Sequence, residues 1–152
     1  MTTDTLKAML SIIHISQQKS LGFPTKLQRI IEHIAACLNS ERGSIMILRG
    51  KHTLEVVAST VPSIRGIKQP LGDDTPSTWV FKNKRILYAG PNVDSILFRT
   101  PNGTYKREAF LVAPIFKKNK VLGVLSITDK TGIDAFGQDE RELFLAMAGH
   151  II

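Results

Sequence analysis

One thiol, at Cys37, is all the sulfhydryl chemistry that this chain of 152 residues possesses. It excludes an intramolecular disulfide and fits a reducing compartment. Long apolar runs are missing too: none approaches the ~20 residues that a membrane helix needs. The N-terminal "MTTDTLKAML" has neither the basic start nor the unbroken apolar core of a signal peptide. These absences predict a cytoplasmic protein with no membrane partner. The sequence contains no G-x-S-x-G, P-loop or H-E-x-x-H pattern, and His14, His33, His52 and His150 are dispersed. His33 and Cys37 stand at i, i+4, a spacing that can present two metal ligands, but no second pair completes a site. Neither a metal site nor enzymatic activity is predicted. Acids are the scarcer charge, 13 against 20 Lys plus Arg, for a net +7. Such an excess suits an anionic partner such as nucleic acid. The basic residues are scattered, however, with local clusters only at "KNKR" (82–85), "YKR" (105–107) and "KKNK" (117–120), so a nucleic-acid partner is disfavoured.

What is present reads as one domain, 43% hydrophobic and 22% charged. Residues 4–18 predict a helix with Leu6, Met9, Leu10 and Ile13 on one face. "SLGFP" (20–24) breaks it. A second helix over about 25–38 carries the cleanest stripe in the chain: Leu27, Ile30, Ile31, Ile34, Ala35 and Leu38. "SIMILRGKHTLEVVAS" (44–59) predicts a hairpin turning at Arg49 to His52. From Thr60 to Glu108 prolines and glycines accumulate and periodicity fades, with a short helix at 76–84 and a short strand at 85–89. "GPNVDSILFRTPNGTYKRE" (90–108) reads as an irregular excursion of the length that functional loops reach.

"FLVAPIFKKNKVLGVLSITDK" (110–130) is a second hairpin, and its apolar residues fall on both faces. A half-wet sheet alternates apolar and polar, so both faces of this one need cover. Asn119 suits its tight turn, and Pro114 implies a bulge or an unpaired edge. A last helix starts near Gln138 with Leu143, Phe144, Met147, Ala148 and Ile151 as its stripe, and Glu140 stands three residues after Gly137 as in a weakened capping box. The order α-α-β-β-(αβ)-β-β-α predicts an α+β fold: an antiparallel sheet of five or six strands, the first, second and last helices on one face, and the 60–109 segment covering the other.

At this point the chain resembles a GAF domain, the sensory module of phosphodiesterases, bacterial signalling kinases and transcription activators. "SERGSIMIL" (40–48) looks like that family's first strand. "LGDDTPSTWVFKNKRIL" (71–87) resembles its "G-x-x-GWV…G-x-P-L" stretch. The 110–130 hairpin matches its "P-x…G-x-x-G-V-L" hairpin, and Phe136 with Glu140 its closing "F-x-x-x-D". The resemblance implies a helix over residues 1–20, a GAF core over 24–152, and a last helix running on toward an output domain, in cis or in trans. Asp129, where cyclic-nucleotide-binding members carry asparagine, argues against a cyclic nucleotide. The lack of a cysteine in the middle segment argues against a bilin, and a single cysteine argues against methionine-sulfoxide reduction. No cofactor is assigned.

The resemblance further implies that the middle segment encloses an unidentified small molecule. By position, Arg65, Trp79, Tyr88, Asp94, Ser95, Phe98, Arg99, Tyr105 and Arg107 are the candidate contacts. Trp79 would offer a stacking wall, and Arg65, Arg99 or Arg107 would pair with a carboxylate or phosphate. It also implies a homodimer through the terminal helices, with Leu6, Met9, Ile13, Met147 and Ile151 as candidate contacts. The predicted function is a non-enzymatic regulatory module. A ligand-free dimerisation scaffold is the alternative, and nucleic-acid binding through the basic loops the remoter one.

Overall fold

The computed structural model describes residues 3–89, 110–130, 136–149 and 151. Among the described residues four helices, α1 (Thr3–Gln17), α2 (Phe23–Cys37), α3 (Pro76–Asn83) and α4 (Gln138–Ala148), accompany six strands. The strands are β1 (Ser40–Arg49), β2 (Thr53–Ser59), β3 (Lys68–Pro70), β4 (Leu87–Ala89), β5 (Phe110–Lys117) and β6 (Lys120–Lys130). They form one open sheet in the order β3-β2-β1-β6-β5-β4, and every neighbouring pair is antiparallel. The α+β architecture is the one the order of elements predicts.

Helix α2 forms where its stripe is unbroken and starts at Phe23–Pro24, a position where proline's missing N–H costs nothing. Its apolar face, Leu27, Ile30, Ile31, Ile34 and Ala35, is buried against the sheet with Phe144 and Met147 of α4. Strands β5 and β6 supply Leu111, Ala113, Ile115, Leu125 and Ile127 to this core. The alternate residues Phe110, Val112 and Val124 point the other way, into a second core with Met46, Leu54, Val56 and Val80 of α3. The hairpin is apolar on both faces because both are covered.

Helix α1 departs from its predicted face. Ala8 and Ile12 are buried, whereas Leu6 and Leu10 are 48% and 55% exposed. The reason is its place in the fold: α1 lies on α2 and α4, so a narrow seam is all it needs to bury. Met147 and Ile151, candidate dimer contacts by sequence, are enclosed in the helix-side core and are not available for that role. The left-handed residue of the β5–β6 turn is Lys118 (φ 56°), not Asn119. Strand β4 pairs no further along β5 than Val112, two residues short of Pro114, and a bulge follows at Ile115/Phe116. At the N-terminus of α4 the Glu140 carboxylate accepts from the Gly137 N–H at 3.0 Å, the half of a capping box that glycine permits.

Candidate functional site

The two faces of the sheet are not filled alike. On the face opposite α2 and α4, register sets the side chains in rows across the strands. Val56, Met46 and Val124 form an apolar row. One step along, Ser59 pairs with Ser44 and Ser44 pairs with Ser126, giving three hydroxyls side by side on three strands. Beyond them Arg42 pairs with Thr128. The face therefore grades from hydrocarbon through hydroxyl to charge along the strands.

A bulge makes the serine row possible. Between Ile45 and Met46 the β1–β2 register slips, with Ile45 opposite Ala58 but Met46 opposite Val56. Val57 is the extra residue, and it shifts the alternation of β2 by one. Ser59, three positions beyond Val56, thus faces the same side. The end of β2 is then held from behind: Gln28 of α2 donates from Nε2 to the Ser59 carbonyl at 2.7 Å and accepts from the Ser59 N–H at 3.0 Å.

Residues 60–78 build the roof. Gly66, in a left-handed conformation (φ 91°), donates its N–H to the Val56 carbonyl at 2.8 Å. That folds the short 3-10 turn Pro62–Ile64 and strand β3 alongside β2, where Ile64, Ile67, Lys68 and Gln69 border the space over the sheet, Ile67 and Lys68 from its exposed rim. Helix α3 is anchored to β3: the Thr75 hydroxyl donates to Gln69 Oε1 at 3.0 Å, and the Thr78 hydroxyl to the Asp73 carbonyl at 2.6 Å. The N–H of Thr78 donates to Thr75 Oγ1 at 3.2 Å, and that of Thr75 to Thr78 Oγ1 at 3.1 Å, closing a capping box. We expect Thr78→Val, isosteric at a buried site, to lower stability by about 2 kcal/mol in urea titrations, because a carbonyl and an N–H lose their partner; Thr78→Ser should recover most of it.

Between roof and sheet lies a cavity of about 220 Å³ bounded by the serine row, Arg42, Thr128, Met46, Val56, Ile64, Ile67 and the first turn of α3. Ser59, Ser77, Ser126 and Thr128 are all at least nine-tenths buried there. The Ser59 hydroxyl accepts from the Val61 N–H. Those of Ser77, Ser126 and Thr128 have no hydrogen-bond partner among the described residues.

Of the nine contacts expected from the sequence, three lie among the described residues. Arg65 is exposed and outside the cavity wall. Trp79 is half-buried and packs on the second core beside the cavity. Tyr88 is on the opposite face, where the Arg141 guanidinium lies 4.2 Å over its ring; alternation in β4 sends Leu87 toward α3 and Tyr88 toward α4. Asp94, Ser95, Phe98, Arg99, Tyr105 and Arg107 lie outside the described residues. The missed hydroxyls carried one signal: Ser126 and Thr128 are same-face interruptions of an apolar strand.

His33 Nε2 and Cys37 Sγ are 3.5 Å apart on α2, and no group of three metal-binding side chains occurs among the described residues. Burial pushes the Cys37 thiol above its ordinary range, which makes it a poor nucleophile at neutral pH. At the far end of the sheet the strand order brings the Arg49–His52 turn beside the Lys117–Lys120 turn, both exposed. Basic residues that are scattered in sequence are neighbours there, and Glu55 reaches Arg49 at 3.7 Å.

The profile of the GAF domain family matches residues 24–152. Among curated proteins none matches the sequence. The fold is similar to that of the GAF domain from an Acinetobacter phosphoenolpyruvate-protein phosphotransferase (TM-score 0.81, 18% identity, 99% of this chain and 92% of that one). It is similar as well to the GAF domain of the Coxiella burnetii phosphoenolpyruvate-protein phosphotransferase (0.79, 15%, 97% and 90%). A third similar structure is the phycocyanobilin-bound GAF domain from a cyanobacterial phytochrome (0.76, 19%, 99% and 93%).

Proposed function

The chain belongs to the GAF domain family, and from that premise we propose that it is a non-enzymatic sensory module whose input is a small molecule held between the sheet and the 60–78 roof. The observation that carries this reading is the cavity itself, walled by Ser77, Ser126 and Thr128, whose side chains are buried and whose hydroxyls make no hydrogen bond among the described residues and can pair with a guest. Burying a hydroxyl unpaired costs about 1–3 kcal/mol, so a guest that pairs them stabilises the closed roof relative to any looser arrangement. The route outward runs through Ser59: its side chain borders the cavity and its backbone is gripped by Gln28 of α2. Helix α2 carries α1, which also packs on α4, so a shift at the serine row is passed to the helices that report to a partner domain, in cis or in trans.

The test is a thermal-shift screen with nucleotides, amino acids and organic acids on the native chain and on Ser44→Phe, whose ring projects from the central strand into the cavity. A ligand present at 100 times its Kd should raise the native Tm by about 5–10 °C and leave Ser44→Phe unmoved. Equal shifts in both proteins would sink the reading.

Leu6 and Leu10 on α1 and Leu145 on α4 support a second role, homodimerisation through the terminal helices. All three are about half exposed on two helices that pack together, an apolar surface of the kind that marks association sites. Leu10→Glu should convert a sedimenting dimer to monomer; a native chain already monomeric at high concentration would end this proposal.

A further inference from the structure

Folding gathers positive charge at the end of the sheet away from the cavity. Strands β1 and β6 are neighbours, and the last β1 residue paired with β6 is Ile47, opposite Gly123. Two places further on, Arg49 comes level with Val121, next to Lys120. The β1–β2 turn, with Lys51, therefore stands beside the β5–β6 turn, with Lys117, Lys118 and Lys120. A third stretch enters from the same side. Strand β4 starts at Leu87 opposite Val112 and runs away from the β5–β6 turn, so Lys84 and Arg85 precede it on the turn side. These six cations come from three separate stretches of sequence, and all are exposed. Glu55 reaches only Arg49, at 3.7 Å, and the six make no ion pair among the described residues. Like charges crowded in this way repel one another until an anionic surface offsets them. Phe116 lies among them, 43% exposed. A ring set among lysines suits a surface that is charged outside and apolar beneath. Nucleic acid is charged outside as well, but proteins hold it with arginine forks and stacking aromatics in a groove or on a recognition helix. Here five of the six cations are lysines, compact charges on flexible stems, carried largely on projecting turns. That composition fits a diffuse field.

We propose that the β1–β2 and β5–β6 turns dock this domain on an anionic lipid surface, with the six cations over the headgroups and the Phe116 ring entering the boundary below them. This surface is independent of the cavity, whose Arg42 and Thr128 lie at the other end of the same strands. The lack of a long apolar run excludes a span across a membrane, not contact with its surface, which needs no such run.

Sedimentation of the full chain with lipid vesicles is the test. Phosphatidylcholine vesicles with about one third phosphatidylserine should bind it at least tenfold more tightly than phosphatidylcholine alone, and salt raised from roughly 0.05 to 0.5 M should remove the difference. One basic residue near such a surface tightens binding about fivefold. Lys117→Gln with Lys118→Asn, a residue suited to the left-handed backbone of position 118 (φ 56°), should therefore weaken binding at least tenfold. Phe116→Ala should weaken it about threefold or more. Lys7→Gln with Arg29→Gln, an equal loss of charge at exposed positions of the helical layer, should leave it unchanged. A readout without variants is given by anionic bicelles of the same lipids: the amide resonances of residues 49–52 and 116–120 should shift, and those of Arg42 and Ser126 should stay. Equal binding to both kinds of vesicle, or equal losses in the turn variant and the helical-layer control, would overturn the proposal. Duplex DNA or polyuridylate binding more tightly than the anionic vesicles at the same salt would overturn the choice of partner.

Discussion

Gly123→Ala is expected to remove at least about 3 kcal/mol of folding stability, and in a domain of ordinary margin to leave little folded protein. Gly123 lies in β6 opposite Ile47 of β1 and Ile115 of β5. A Cβ on it would sit 2.0 Å from the Met46 carbonyl oxygen and 3.0 Å from the Met46 carbonyl carbon. Those atoms are backbone of the central strand and have no rotamer to yield, unlike the side chains that relax around most core insertions. Relief requires parting β1 from β6, the pairing that carries the cavity. Gly149→Ala is the control: its Cβ would meet nothing closer than 3.7 Å, on right-handed helical backbone. It should be neutral or stabilise by a few tenths of a kcal/mol. Chemical denaturation of the two variants decides the matter; near-equal midpoints would show that the β1–β6 approach yields where the structure says it does not.

The second large effect is expected at Phe144. This ring is fully buried where α4 meets the helix-side core, while the adjacent Leu145 is 48% exposed. Phe144→Ala should cost about 3–5 kcal/mol through lost burial and the void left behind. Leu145→Ala should stay within about 0.5 kcal/mol. The contrast tests which side of α4 holds the domain together. Should Leu145→Ala prove the costlier in a concentration-dependent assay, the exposed side is itself an interface, and the dimer proposal gains directly.

Legibility followed physical range. The stripe of α2 was readable because four large aliphatics and Ala35 recur at helical spacing and all face one sheet. The doubly apolar 110–125 hairpin announced two covers because the alternation of a strand is local. The face of α1 was misread because Leu6, Met9, Leu10 and Ile13 compete with Ala8, Ile12 and Ile15, and only the neighbouring helices decide which set is inside. Strand β3 escaped notice since "KQP" is three residues ending in proline, with no period to detect. The cavity was illegible for a deeper reason. Its serine row exists through pairing and a one-residue bulge, neither of which leaves a mark in any short window of sequence.

Threading β1 between β2 and β6 has a consequence for how the chain is made. The Ser40 hydroxyl bonds the Thr128 carbonyl across 88 residues of sequence. During synthesis α1, α2 and the first hairpin emerge long before the strand that must lie beside β1. Until it arrives, an edge rich in unsatisfied N–H and C=O groups is bare. Pairings this remote in sequence close late and slowly. A chain that stops before residue 110 therefore holds only the β3-β2-β1 half of the sheet in paired form, with a tendency to associate through its bare edge.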